Sequence, residues 1–182
     1  MARPGYRKFH GFKSTVFGKS IPRKHLLDYA QARELAAEFN TLVEDGGIGL
    51  LIGEVGIGKT TAIRAFKEEL GERSCRVCYV GSVKHSTAVL QDFVLQMGYQ
   101  PSHQRANLLR QLSKAISQTW VEQRKKTLLV LDDAQATEES LLEDLRLLSN
   151  FDIDSQEPLI LLLGGHPGLQ RGCPDPVGHF SS

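Results

Sequence analysis

Fourteen residues, Ile48–Thr61 (IGLLIGEVGIGKTT), restrict what this chain can fold into more than any other stretch. The apolar run Ile48–Ile52 has the length and composition of a buried strand, and a helical pattern runs from Thr61 to Leu70. Between them lies Gly53-x4-Gly58-Lys59-Thr60, a phosphate-binding loop with the strand before it and the helix after it that such a loop requires. Glycines at 53, 56 and 58 let the backbone curl until successive N–H groups face one anion. The helix that follows adds its positive end. Lys59 can reach β- and γ-phosphates, and the Thr60 hydroxyl can ligate Mg²⁺. The nucleotide-contacting segment is therefore Gly53, Glu54, Val55, Gly56, Ile57, Gly58, Lys59, Thr60 and Thr61. A glycine turn with an incidental lysine is the competing reading, and it leaves the flanking strand and helix unexplained.

At 182 residues the chain holds one good core and is short for two. Its 41% hydrophobic and 24% charged content are ordinary for a soluble globular protein, and a net charge of +1 gives no global field for nucleic acid or membrane. The charge is unevenly placed. Arg3, Arg7, Lys8, Lys13, Lys19, Arg23 and Lys24 all precede the first acidic residue, Asp28. Residues 1–24, with Phe9, Phe12 and Phe17 among them, read as a basic, aromatic arm. Such an arm can touch a DNA backbone or acidic lipid, or can simply be solvated; binding to duplex DNA would weaken steeply with salt. The first residues have no apolar stretch of a secretory signal, and no run approaches the roughly 18 apolar residues of a membrane span. Three cysteines, an odd number, argue against a disulfide framework and fit a reducing cytoplasm. Cys75 and Cys78 form a C-x2-C, but a spacing of three within a strand puts them on opposite faces, and no second Cys/His pair stands at a partner spacing.

The rest of the chain alternates. Leu26, Leu27, Ala30, Leu35, Ala36, Phe39 and Leu42 recur at helical spacing from His25 to Val43, ahead of Gly46-Gly47. Beyond the loop, strands are expected at Cys75–Val80, Thr127–Leu131 and Leu159–Leu163, the last two apolar throughout, as parallel strands buried on both faces are. Helices are expected at His85–Met97, from Pro101-Ser-His103 through Trp120 to Arg124-Lys-Lys126, and at Glu138–Leu148. The pattern specifies an α/β three-layer sandwich with a mostly parallel sheet, its core spanning residues 25–169.

A second chemical site follows from the third strand, which ends in Asp132-Asp133. An apolar strand ending in an acid is the partner of a phosphate loop: Asp132 would hold Mg²⁺ through water, and Asp133 would orient the attacking water. A turn or helix cap is the plainer reading of the pair. The fourth strand ends in Gly164-Gly-His-Pro167, at the carboxyl edge where ligands of open α/β sheets sit, so His166 is either a γ-phosphate sensor or a turn histidine before proline. No Asn/Thr-Lys-x-Asp stretch is present to read guanine, so adenine is the expected base and ATP the expected nucleotide.

With these residues the chain resembles bacterial AAA+ ATPases, and within them the ExeA-like group of secretion-pathway ATPases and the TniB- and IstB-like helpers of DNA transposition. The resemblance rests on Phe9-His-Gly-Phe12 with Phe17 and Ile21-Pro22, on Gly47–Thr61, on Leu129-Val-Leu-Asp-Asp-Ala-Gln135, on Leu145–Phe151 and on Leu163-Gly-Gly-His-Pro-Gly-Leu169. It implies ATP and Mg²⁺ as ligands, homo-oligomers in the full-length family, and as partners either duplex DNA and a transposase or proteins of a secretion apparatus. Three departures shape the expectation. The family's usual Asp-Glu is Asp132-Asp133, whose shorter second side chain draws the carboxylate back by about one methylene and weakens hydrolysis. The family's sensor glutamine is His166. After Leu169 the family continues to a strand beside the phosphate-loop strand and a helical lid, whereas residues 170–182 read as an irregular, truncated or out-of-frame tail. The phosphate-loop strand would then lie at an exposed sheet edge. Two alternatives to an active ATPase therefore stand: a nucleotide-gated binding module for DNA or a partner protein, and a non-functional fragment.

Overall fold

The computed structural model describes residues 30–81, 85–149, 158–167, 169 and 178–181; the basic arm of residues 1–24 lies outside them. In chain order the elements are α1 (Ala30–Asp45), β1 (Gly47–Ile52), α2 (Lys59–Ser74), β2 (Cys75–Val80), α3 (Ser86–Gln96), α4 (Arg105–Gln123), β3 (Lys126–Leu131), a short 3-10 turn (Ala134–Ala136), α5 (Glu139–Ser149), β4 (Leu159–Gly165) and β5 (Gly178–Ser181). The strands form one parallel sheet in the order β2-β3-β4-β1-β5. Alternation of side chains divides the apolar residues into two layers. Leu50, Ile52, Leu129, Leu131, Leu161 and Leu163 face α3, α4 and α5, where Phe93, Leu112 and Leu145 are buried against them. Leu51, Leu128, Val130, Ile160 and Leu162 face the opposite way, onto Phe39 and Leu42 of α1 and Ile63 and Phe66 of α2. This is the expected three-layer sandwich. Cys78 belongs to the first layer and Cys75 to the second, as their spacing requires.

Element ends are fixed by particular groups. Gly46 (φ 90) closes α1 by donating its N–H to the Leu42 carbonyl, and Lys126 reaches over from β3 to donate to the free carbonyls of Val43 and Glu44, a cation on a helix C-terminus. At the β2 edge, the Gln96 carboxamide accepts from the Tyr79 N–H at 2.9 Å and donates to the Tyr79 carbonyl at 2.8 Å, imitating a further strand. The α2 helix begins two residues earlier than expected, at Lys59, and α4 begins at Arg105 rather than at Pro101, because residues 100–104 are held as a loop by Gln111, which bonds both Gln100 and Ser102.

The tail requires a correction. Residues 178–181 are not irregular: they form β5, parallel to β1, with Gly49 opposite Gly178 and Ile52 opposite Ser181. β1 is therefore an interior strand, not an exposed edge. The segment has no apolar run to announce it, because its pairing is made by backbone groups.

Candidate functional site

The loop after β1 owes its curl to two glycines. Gly56 (φ 86) and Gly58 (φ 103) are left-handed, and Gly58 caps the start of α2, its carbonyl accepting from the Ala62 N–H. A side chain at either position would be strained whatever the space around it. Lys59, the first residue of α2, folds back over the loop, and its ammonium donates to the carbonyls of Gly53 (2.8 Å) and Glu54 (3.0 Å). Glu54, Val55, Gly56 and Ile57 form the exposed crest, while Thr61 turns outward on α2. The Gly53 N–H donates to the Gly165 carbonyl at 3.2 Å, which ties the root of the loop to the end of β4.

Asp132 lies directly beyond β3 and is buried, with 3% exposure. Its N–H donates to the Val80 carbonyl, prolonging the β2–β3 ladder by one rung. Its carboxylate accepts three hydrogen bonds: from the Thr60 hydroxyl at 2.5 Å and the Tyr79 hydroxyl at 3.0 Å, both on Oδ2, and from the Asp133 N–H at 3.0 Å on Oδ1. Thr60 and Asp132 are 72 positions apart in sequence, and only the β1–α2 turn set beside the end of β3 brings them together. Burial, then the Asp132 charge and the hydrogen bond to it, push the Tyr79 hydroxyl up to about 12, so it stays a donor. Asp133 takes a left-handed conformation (φ 55, ψ 40), one that Asp tolerates better than most residues, and starts the 3-10 turn.

The end of β4 completes the arrangement. Gly164 packs against Asp132, and Gly165 against Gln135 and Leu169. His166 is joined to the same wall through its backbone, whose N–H donates to Gln135 Oε1 at 3.2 Å. Lys59, Thr60 and Asp132 thus converge at the carboxyl ends of β1 and β3; Asp133 and His166 flank them, each held by its backbone N–H. Tyr79, Gln135, Gly164 and Gly165 were not singled out from sequence. Gln135 and the two glycines lie inside recognisable motifs, but Tyr79 carries no local signal.

The donor set suits a hard cation shared with phosphates. Thr60 commits its one proton to Asp132, leaving its lone pairs for a cation, and both contributing groups are oxygens. Among the described residues no three His, Cys, Asp or Glu side chains cluster as a self-sufficient metal site. Mg²⁺ does not need one: it keeps waters and takes one or two protein ligands plus phosphate oxygens.

Comparison with known proteins agrees with this geometry. A family model described as "AAA domain" matches residues 42–171. General secretion pathway protein A of Aeromonas hydrophila is 29% identical over 175 residues, covering 94% of this chain and 32% of that protein. Among solved structures, Cdc6p from Pyrobaculum aerophilum matches with a TM-score of 0.62 at 19% identity, over 90% of this chain and 46% of that one. The Aeropyrum pernix Orc1 protein, solved in complex with DNA, matches with a TM-score of 0.63 at 19% identity, over 86% of this chain and 42% of that one. At such identity these two speak for the fold alone. The chain spans about a third of the length of the secretion protein and less than half of either solved chain.

Proposed function

The chain belongs to the AAA domain family, and from that premise we propose that it is an ATP-binding, Mg²⁺-dependent ATPase core. Gly53–Thr61 cradles the phosphates, with the Lys59 ammonium leaving the loop carbonyls for the β- and γ-oxygens. Thr60 and Asp132 hold Mg²⁺, Asp132 through water. When bound, the cation neutralises the charge that develops on the phosphate oxygens. Asp133 orients the attacking water, and His166 senses the γ-phosphate. The observation that carries this reading is the 2.5 Å bond between Thr60 and the buried Asp132, the two groups that Mg²⁺ chemistry needs side by side. The test is ATP affinity and turnover of the purified chain with Mg²⁺. Lys59→Ala should weaken ATP binding by about 10- to 100-fold, the worth of a hydrogen-bonded charge, and abolish turnover. Wild-type protein that binds no ATP, or a Lys59→Ala variant that binds as well as wild type, overturns the reading.

A second reading, a nucleotide-gated module with little turnover, is favoured by Asp133: its backbone is turned left-handed and its carboxyl is one methylene short of the usual glutamate. On that reading Asp133→Glu raises turnover several-fold and leaves ATP affinity unchanged; an unchanged turnover shows that Asp133 is not what limits hydrolysis. We place the chain in the cytoplasm, serving a secretion apparatus. The support is likeness to a secretion-pathway protein along nearly the whole chain. A transposition helper is the alternative, and duplex DNA added to the turnover assay separates them: stimulation that fades with salt favours transposition.

A further inference from the structure

Tyr79 is an edge-strand residue whose hydroxyl ends on the same carboxylate oxygen as the Thr60 hydroxyl. Its position follows from register. Tyr79 stands opposite Val130, and the ladder runs on until the Asp132 N–H meets the Val80 carbonyl, so Asp132 is the diagonal neighbour of Tyr79, two residues on and on the same sheet face. That diagonal is within reach of a long aromatic side chain and beyond that of a short one. The backbone behind the ring is clamped on its free side, where the Gln96 carboxamide takes both the N–H and the carbonyl of Tyr79, and Arg76 donates to the Gln96 carbonyl at 2.7 Å. The ring itself packs against the layer that holds Ile63 and Phe66 of α2. A side chain only half-buried at a sheet edge thus receives a double backbone clamp and delivers one hydroxyl to one oxygen.

We infer that Tyr79 is a positioning residue for Mg²⁺: its hydroxyl holds the Asp132 carboxylate turned toward Thr60, so that the cation meets both oxygens already aligned. The inference rests on the ATPase reading above and goes beyond it, since neither the phosphate loop nor the strand-end acid includes this tyrosine. Without the hydroxyl, Oδ2 keeps a single donor, Thr60. With Oδ1 still accepting from the Asp133 N–H, the carboxylate stays tied at two points but is held less firmly about its last torsion, which for a carboxyl group is broad. Binding Mg²⁺ would have to supply the order that the phenol supplies in advance.

The test is Tyr79→Phe in the full chain, which keeps the ring and removes one oxygen. ATP affinity is measured by titration calorimetry in EDTA and again in MgCl₂, with turnover followed against Mg²⁺ concentration. Affinity in EDTA should be unchanged, while the gain in affinity conferred by Mg²⁺ should fall by about 3- to 10-fold, a fraction of the worth of one hydrogen bond to a charged group, because Thr60 and the Asp133 N–H still hold the carboxylate. The Mg²⁺ concentration for half-maximal turnover should rise in proportion. Tyr99→Phe, which removes a hydroxyl bonded to Gln118 away from the site, should change neither. In an Asp132→Asn background, Tyr79→Phe should add nothing further, because its effect passes through the carboxylate. A variant that loses affinity equally in EDTA and in Mg²⁺ would show a purely structural role and overturn the inference. So would a variant indistinguishable from wild type. If wild-type affinity does not respond to Mg²⁺ at all, the ATPase reading fails and takes this inference with it; a wild-type response matched by Tyr79→Phe removes the inference alone.

Discussion

A methyl group added at Gly165 would lie 2.7 Å from Gln135 Oε1 and 2.8 Å from Leu169 Cδ2, and one added at Gly164 would lie 3.0 Å from Asp132 Oδ1. Neither glycine has a positive φ among those of this chain, so both are required by lack of space rather than by backbone conformation. Gly165→Ala should cost about 1–3 kcal/mol, as overpacking of a filled site does, read as a lower urea midpoint at constant m-value. Shortening the obstacle with Gln135→Ala should return part of that loss in the double variant; equal midpoints for Gly165→Ala and wild type would mean that the wall yields. These residues also mark how far sequence reading reaches. Thr60 and Asp132 were legible because a strand, a glycine loop and an acid after an apolar run each leave a local pattern. Gln135 and the two glycines lie inside motifs of that kind, whereas Tyr79 matters through what stands diagonally across from it, and that depends on register, which no local pattern prints.

Among the elements, one border of the sheet is closed by a side chain. Gln96, at the end of α3, satisfies the outward N–H and carbonyl of β2 at Tyr79. Edge strands left open are templates for association. Gln96→Ala should therefore cost about 0.5–1.5 kcal/mol and increase light scattering on mild heating, more than the loss of stability alone accounts for. A variant that scatters no more than one equally destabilised in the core would show that the clamp protects nothing. The strands β1 to β4, with α3 and α5, were legible to within a residue or two, since each carries an apolar run or a helical stripe, whereas α2 runs four residues past its expected end at Leu70, across a kink at Gly71 (φ 59). The start of α4 was misplaced because a side chain, Gln111, holds the preceding segment as a loop. β5 escaped because Gly178–Ser181 contributes backbone to the sheet and no apolar run.

For the molecule as a whole, the strand order matters more than any single border. β1 pairs with β4 on one side and β5 on the other, and both lie far downstream in sequence. Removing residues 178–182 should leave the β1–β4 pairing in place and one flank of β1 bare. The expected result is retained parallel-sheet circular dichroism with faster aggregation; a truncated chain as soluble as the whole would show that β5 contributes no protection. The same order carries a consequence in time. As the polypeptide leaves the ribosome, the phosphate-loop strand appears early and must wait for about a hundred further residues before either neighbour exists, on the order of 5–20 s at common rates of synthesis. During that interval an apolar strand has no native partner, and Thr60 has no carboxylate until Asp132 emerges. Nucleotide therefore cannot meet Thr60 and Asp132 as a pair until the second half of the chain is made.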